Sequence, residues 1–306
     1  MHAFLEADMG DKPALQPKAA IGPAVRAIAG HILDNARAAI TDPERSNQDA
    51  VHDFRRAIKQ WRALMRLLQP FIADAVRLRQ EARAHARSLS RARDGQSALN
   101  AFDDLVKKGM ALSERSIATI RGRIEAIRGS EEQAVLTPEL RDAIIAWLDA
   151  TMGAIEGWPL DPFDFSSIAE RLAAGYRGAR RLIPRDWSQA SAEDLHQLRQ
   201  RVVDHRYQME LIEPLWPRHG RMWTEEAERL RDRLGRCQDL EILKRSTGPH
   251  EPLARWRSRL TPACAERTTE LSHRAARIAL RLFAEKPKAF RRRMEALWEQ
   301  GRSNGA

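Results

Sequence analysis

Cysteine is nearly absent: Cys237 and Cys264 are the only two in 306 residues. Two thiols make neither a disulfide framework nor a zinc site, and they suit a reducing compartment. Both are expected to be at least half-buried. Aromatic residues reach only 6% of the chain, too few for a surface built on base stacking. No stretch approaches the roughly 20 apolar residues of a membrane span. The segment before Pro13 carries acidic residues and no apolar run of signal-peptide length. A cytoplasmic protein that does not enter the membrane is therefore expected. No alternation of Val, Ile and Thr is long enough for strands. Phosphate-cradling glycine loops, nucleophile elbows and paired His or Cys ligand motifs are missing too. These absences predict no catalytic residue, no bound metal and no cofactor. Pairs such as Asp103 and Asp104 lie in helical, polar contexts and are expected to be solvated.

Alanine, leucine, arginine and glutamate dominate what remains, a mixture that favours helices. Fifty-two cationic residues face forty-two acidic ones, a formal net charge of +10. Eight of those cations are lysine and forty-four are arginine. Arginine grips phosphate oxygens with a planar fork of donors and stays charged at any cellular pH. An anionic partner follows, provided the arginines are grouped. Composition alone does not separate that reading from a general bias toward arginine.

Helical periodicity is expected over 23–40, 47–68, 73–93 and from 96 onward, then over 165–182, 192–212, 221–244 and 263–284. Pro70, Pro184 and Pro214 stand just beyond three of these runs. Residues 1–17 are expected to form a flexible leader, 18–152 a first helical bundle, 153–164 a linker and 165–306 a second bundle. A shift of 144 residues supports the division. It lays His52, Arg55, Arg62, Met65, Leu67 and Pro70 on His196, Arg199, Arg206, Met209, Leu211 and Pro214, and Arg37 on Arg181.

On a helix turning about 100° per residue, His52, Arg55, Lys59, Arg62 and Arg66 share an arc of about 80°. Phe54, Ile58, Trp61, Met65 and Leu68 fall on the opposite, core-facing side. The cations form a row about 20 Å long with no acid on the same stripe. Like charges at this spacing repel, so an extended polyanion would relieve the row. The plain alternative is a solvated helix face. The repeat weighs against it, because His196, Arg199 and Arg206 recreate the pattern. That copy is weaker, since Val203, Gln200 and Glu210 replace Lys59, Arg56 and Arg66. Glu210 is a candidate internal partner for its own row. The paired histidines lack metal-ligand spacing, so hydrogen bonding to phosphate or to a neighbouring helix is expected of them.

These residues resemble a known family. Val51-His52-Asp53-Phe54-Arg55-Arg56-Ala57-Ile58-Lys59 with Arg62 looks like the first signature of the conserved histidine α-helical domain, CHAD. Leu195-His196-Gln197-Leu198-Arg199, with Arg206-Tyr207 downstream, resembles its second copy. Arg93-Asp94, the stretch from Leu234-Gly235 to Asp239-Leu240, Tyr176-Arg177 to Arg180-Arg181, and Leu282 to Lys286-Pro287 are similar to further family signatures. The resemblance spans roughly 20–295. It implies an all-α fold of two tandem four-helix bundles related by a pseudo-twofold axis, with a basic central cavity or pore. It further implies a protein that is not an enzyme and binds inorganic polyphosphate, or other phosphate-rich anions, and is targeted to polyphosphate granules. His52, Arg55, Arg56, Lys59, Arg62, Arg66, Arg93, Arg37, Arg177, Arg180, Arg181, His196, Arg199, Arg206, Tyr207 and Lys286 are the expected binding residues. Many relatives carry a triphosphate tunnel metalloenzyme domain. Its Glu-x-Glu-x-Lys strand motif does not occur here, which predicts a stand-alone member. Nucleic-acid binding, docking of an acidic protein and turnover of polyphosphate or nucleotide are the alternatives. Oligomeric state is left open.

Overall fold

The computed structural model describes residues 13–89, 92–132, 136–161 and 163–303; the side chains at 92, 93 and 130–132 fall outside that description. Among the described residues every regular element is helical. Six α-helices precede residue 160: α1 (Ile21–Thr41), α2 (Asn47–Leu68), α3 (Ala75–Ser88), α4 (Ala92–Lys107), α5 (Glu114–Glu132) and α6 (Pro138–Ile155). Five follow: α7 (Phe165–Arg181), α8 (Ala192–Glu210), α9 (Pro217–Arg245), α10 (Arg257–Leu282) and α11 (Pro287–Ser303). Either side thus carries more than the four helices that the resemblance implied.

Local chemistry sets the helix starts. Ser46 caps α2 by accepting from Asp49 N at 3.1 Å. Asp164 caps α7 through Ser167 N at 2.9 Å. Thr137 caps α6 through Leu140 N at 3.3 Å, with Pro138 in the first helical position. Ser191 and Asp194 form a reciprocal capping box at α8. Such caps contribute about 1 kcal/mol each. α10 begins at Arg257 and carries Pro262 inside it, upstream of the expected start at 263. A proline in the second turn removes only one backbone bond close to donors that lack partners anyway.

Helix packing follows the same order on both sides of the chain. α1 lies on α2, α2 on α3, α4 on α5 and α6 on α1. Likewise α7 lies on α8, α8 on α9, α9 on α10 and α11 on α7. The sides meet where α2 packs on α8 and α4 on α9. Phe54, Ile58, Trp61, Met65 and Leu68 are all buried, as the α2 periodicity predicts. Gln208, buried on α8, donates its Nε2 to Ala63 O of α2 at 3.1 Å and so crosses the contact, while its Oε1 has no hydrogen-bond partner among the described residues.

Three local expectations are corrected by packing. The described end of the leader is held, not loose: Leu15 is buried and its N–H donates to Leu211 O at 2.8 Å. The stretch expected as a linker begins inside α6 and is anchored, because Trp158 and Leu160 are buried and the Trp158 ring lies 6.0 Å from Trp61. Asp104 is not a solvated acid. It receives Arg267 Nε at 2.7 Å and Nη2 at 3.1 Å, a two-pronged pair joining α4 to α10. Both cysteines are buried, and burial pushes their thiols up, Cys237 to about 11 and Cys264 to about 12.

Candidate functional site: an arginine cluster between helices

The cationic row of α2 does not face open solvent along its length. At its N-terminal end His52 and Arg56 are exposed, and Arg56 Nη2 approaches Asp53 Oδ1 at 3.9 Å. Arg55 and Lys59 are half-buried, and Arg55 Nη1 donates to Ala86 O of α3 at 2.7 Å. At the C-terminal end Arg62 and Arg66 turn toward α3 and α8. There they join Arg79 and Arg83 of α3, whose charges depress the Arg62 guanidinium after its partial burial. Arg79 is depressed the same way, by burial first and Arg66 next.

One carboxylate stands against three of these guanidinium groups, those of Arg66, Arg62 and Arg79. Asp204 of α8 is buried, and its Oδ2 lies 2.7 Å from Arg66 Nε. The contact is ionic without hydrogen-bond alignment: neither of those atoms has a hydrogen-bond partner, nor does the buried Arg62 Nε. Burial pushes Asp204 up to about 6, against the pull of Arg66, Arg62 and Arg79. The row is therefore not free of acid. A stripe on one helix says nothing about a carboxylate supplied by another, which is why Asp204 escaped the sequence argument. Arg79 and Arg83 escaped it too, although their four-residue spacing on one helix face is visible in the sequence.

The second row is neutralised more fully. Arg206 Nη2 sits 3.2 Å from Glu210 Oε1 and 3.3 Å from Glu228 Oε2 of α9. Its guanidinium also lies over the Tyr207 ring at 5.1 Å. Tyr207 itself is buried, and desolvation raises its phenol. His196 and Arg199 share one partner: Gln238 Oε1 of α9 lies 3.2 Å from His196 Nδ1 and accepts from Arg199 Nη1 at 3.4 Å. His196 Nε2 rests beside Gln200.

The remaining expected residues lie elsewhere. Arg37 of α1 is ion-paired with Asp149 of α6. Arg177, Arg180 and Arg181 line a separate groove at the C-terminal end of α7. Lys286 is exposed just ahead of α11. The Arg93 side chain lies outside the described residues.

Fold and cluster together define an all-helical protein with a basic site set between packed helices. The chain matches the model of the CHAD domain over residues 23–247, and it belongs to that family. The match ends before Lys286 and Pro287, short of the span suggested by the sequence resemblance. A solved relative has the same fold: the crystal structure of the CHAD domain from the plant Ricinus communis is similar at a TM-score of 0.52. Identity with it is 18%, with 94% of this chain and 95% of that chain covered. No curated protein matches the chain. No helix among the described residues is long and apolar enough to cross a membrane.

Proposed function

We propose that this protein binds inorganic polyphosphate and does not turn it over. The observation that carries the reading is the meeting of Arg62, Arg66 and Arg79 around a single carboxylate, Asp204, with Arg83 close enough for its charge to act on Arg62 and Arg79. Four positive groups against one negative group leave an excess of about three charges in a partly desolvated setting, where a phosphate oxygen gains most from arginine. Arg55, Lys59 and His52 continue the row along α2 and give it the length of an extended chain. The second half contributes less on this reading, because Glu210 and Glu228 already hold Arg206. Granule targeting would follow from the same affinity.

Nucleic acid offers the same phosphate spacing only loosely and would also seek exposed aromatic faces. Trp61 and Tyr207, the aromatic residues nearest in sequence to the cluster arginines of α2 and to Asp204, are both buried. Calorimetry with long-chain polyphosphate tests the reading. Binding that strengthens with chain length and weakens steeply with salt is expected, with no phosphate released in the presence of magnesium. Absence of binding at moderate salt would falsify it, and phosphate release would show an enzyme instead.

A further inference from the structure

A second basic feature lies apart from the α2 cluster. The C-terminal ends of α7 and α10 and the start of α11 enclose an open groove of about 1220 Å³. Arg177, Arg180, Arg181, Arg185 and Lys288 line it, and no carboxylate does. Arg180 Nε donates to the Phe283 carbonyl at 2.9 Å. The other four cations have no ion-pair or hydrogen-bond partner among the described residues. Elsewhere in the molecule Arg37, Arg66, Arg206 and Arg267 each meet an acid; here the lining supplies none.

Helix-end electrostatics account for part of the cluster. Arg180 and Arg181 lie in the last turn of α7, where cations complement the helix dipole. Lys288 has no such excuse. It stands in the first turn of α11, at the positive end of that helix, where a cation is disfavoured. The groove is thus more positive than the fold requires.

Its floor is apolar, formed by Ile183, Pro184 and Phe283 with Leu280 at the edge. Leu280 is 63% exposed, the most exposed large apolar side chain described. An inorganic polyanion would use the cations and leave this leucine in water. A nucleic acid would need an aromatic face, and Phe283 is buried with its ring turned into the Tyr176 and His205 packing. A lipid surface is flat, whereas the lining is concave. The combination suits a polypeptide segment that carries carboxylates and at least one apolar side chain.

We propose that this groove docks an acidic, leucine-bearing segment of a partner protein, with carboxylates on Arg177, Arg181, Arg185 and Lys288 and an apolar side chain on Leu280. The site does not rest on the arginine cluster of α2: Arg177, Arg180 and Arg181, which the family resemblance groups with the polyphosphate-binding residues, lie in this separate groove, and the ligand chemistry proposed for it is different. Its charge is only partly repeated in the first half of the chain, where Arg37 matches Arg181 but Leu33, Ala36 and Thr41 occupy the positions of Arg177, Arg180 and Arg185.

Fluorescence anisotropy on the full chain tests it, with a labelled peptide of leucines spaced among aspartates and glutamates, and a second peptide with alanine for leucine. The leucine peptide is expected to bind more tightly than the alanine peptide by about tenfold, the worth of burying one such side chain. Leu280→Ser should erase that difference. Arg185→Ala with Lys288→Ala should weaken the leucine peptide about fivefold. Circular dichroism checks that both variants keep their helicity; should either lose it, Leu280→Gln and single alanine replacements take their place. Equal affinity for the two peptides, or peptide binding indifferent to the Arg185 and Lys288 replacements, overturns the proposal. Displacement of the peptide by polyphosphate with loss of any leucine preference would mark the groove as a plain polyanion track and overturn it as well.

Discussion

Arg66 Nε lies 2.7 Å from Asp204 Oδ2, so the contact between α2 and α8 carries a charge pair beside the Gln208 hydrogen bond. The pair is unusual in that burial wins over attraction: Asp204 is pushed up to about 6 despite three arginines pulling it down. A carboxylate in that position competes with any phosphate for the same guanidinium groups. Asp204→Asn removes the competitor and keeps the shape. Polyphosphate affinity is expected to rise by roughly tenfold at low salt. In the native protein, affinity should climb as pH falls through about 6 and Asp204 gains its proton. The Asn variant should lack that step, and a pH series by calorimetry measures both.

The same shift has a consequence for stability. The folded carboxyl holds its proton up to about 6, whereas its ordinary value is 3.8. Between those two values the folded state binds more protons than the unfolded one, so this group lowers stability as pH rises. The stability of native protein relative to Asp204→Asn should therefore decline from pH 4 to pH 6 and level off above. Urea titrations of the two proteins at several pH values give the difference directly. A flat difference across that window would show that the arginines, not burial, govern Asp204.

Arg83 isolates the binding contribution from the fold. Its side chain is exposed and makes no ion pair among the described residues, yet its charge is felt by Arg62. Arg83→Ala should leave the unfolding midpoint unchanged. Polyphosphate affinity should drop, and the salt dependence of binding should lose about one unit of slope, as for the loss of one phosphate contact. An unchanged slope would remove Arg83 from the site.

Asp104 and Arg267 make the reverse case, structural and not ligand-directed. Arg267 is 5% exposed and depends on Asp104 and Glu270. Asp104→Ala strands a buried guanidinium and should cost about 3 kcal/mol, with polyphosphate binding intact in the protein that remains folded. Desolvation pushes the Asp104 carboxyl up, but the hydrogen bond and charge of Arg267, helped by Arg236 and Lys108, hold it below 3.8. A depressed carboxyl stabilises the fold above its unfolded value and loses that effect as pH falls below about 4. The stability gap between native protein and the variant should accordingly narrow as pH falls below about 4, which urea titrations at several pH values measure.

How far the sequence reached depended on whether an effect stayed within one helix. α2 has the same ends in sequence and structure, 47 and 68, because its stripe, its Ser46 cap and Pro70 all act locally. α5 and α6 went unassigned. Among its described side chains α5 buries Ile120 and Ile124 alone, so its apolar period is faint. α11 lies beyond the last expected run, although Phe290, Met294 and Trp298 recur at helical spacing and are buried. The α2 cations were legible for the same local reason. Arg79, Arg83 and Asp204 come to them from α3 and α8, and only tertiary packing makes that meeting. Glu228 neutralises Arg206 from α9 in the same non-local way.

His205 shows what became of the histidine that follows Asp204. It is fully enclosed by Tyr176, Trp223, Phe283 and Phe290, and its Nε2 accepts from Trp223 Nε1 at 2.9 Å. Burial first, and then the charge of Arg293, push it down to about 3. Above that value the folded imidazole is neutral, while the unfolded one gains a proton below its ordinary 6.5. Stability is thus complete above about 6.5 and is lost progressively as pH falls toward 3. The imidazole signal of His205 should not move between pH 5 and 8 in a proton NMR titration. His205→Ala opens a cavity among four aromatic rings and leaves the Trp223 N–H unpaired, at a cost of about 3 kcal/mol. His205→Gln, which can still accept from Trp223, should recover part of that loss. A His205 resonance that titrates near 6.5 would mean the aromatic enclosure is open to water, and the stability loss on acidification would then have to come from another group.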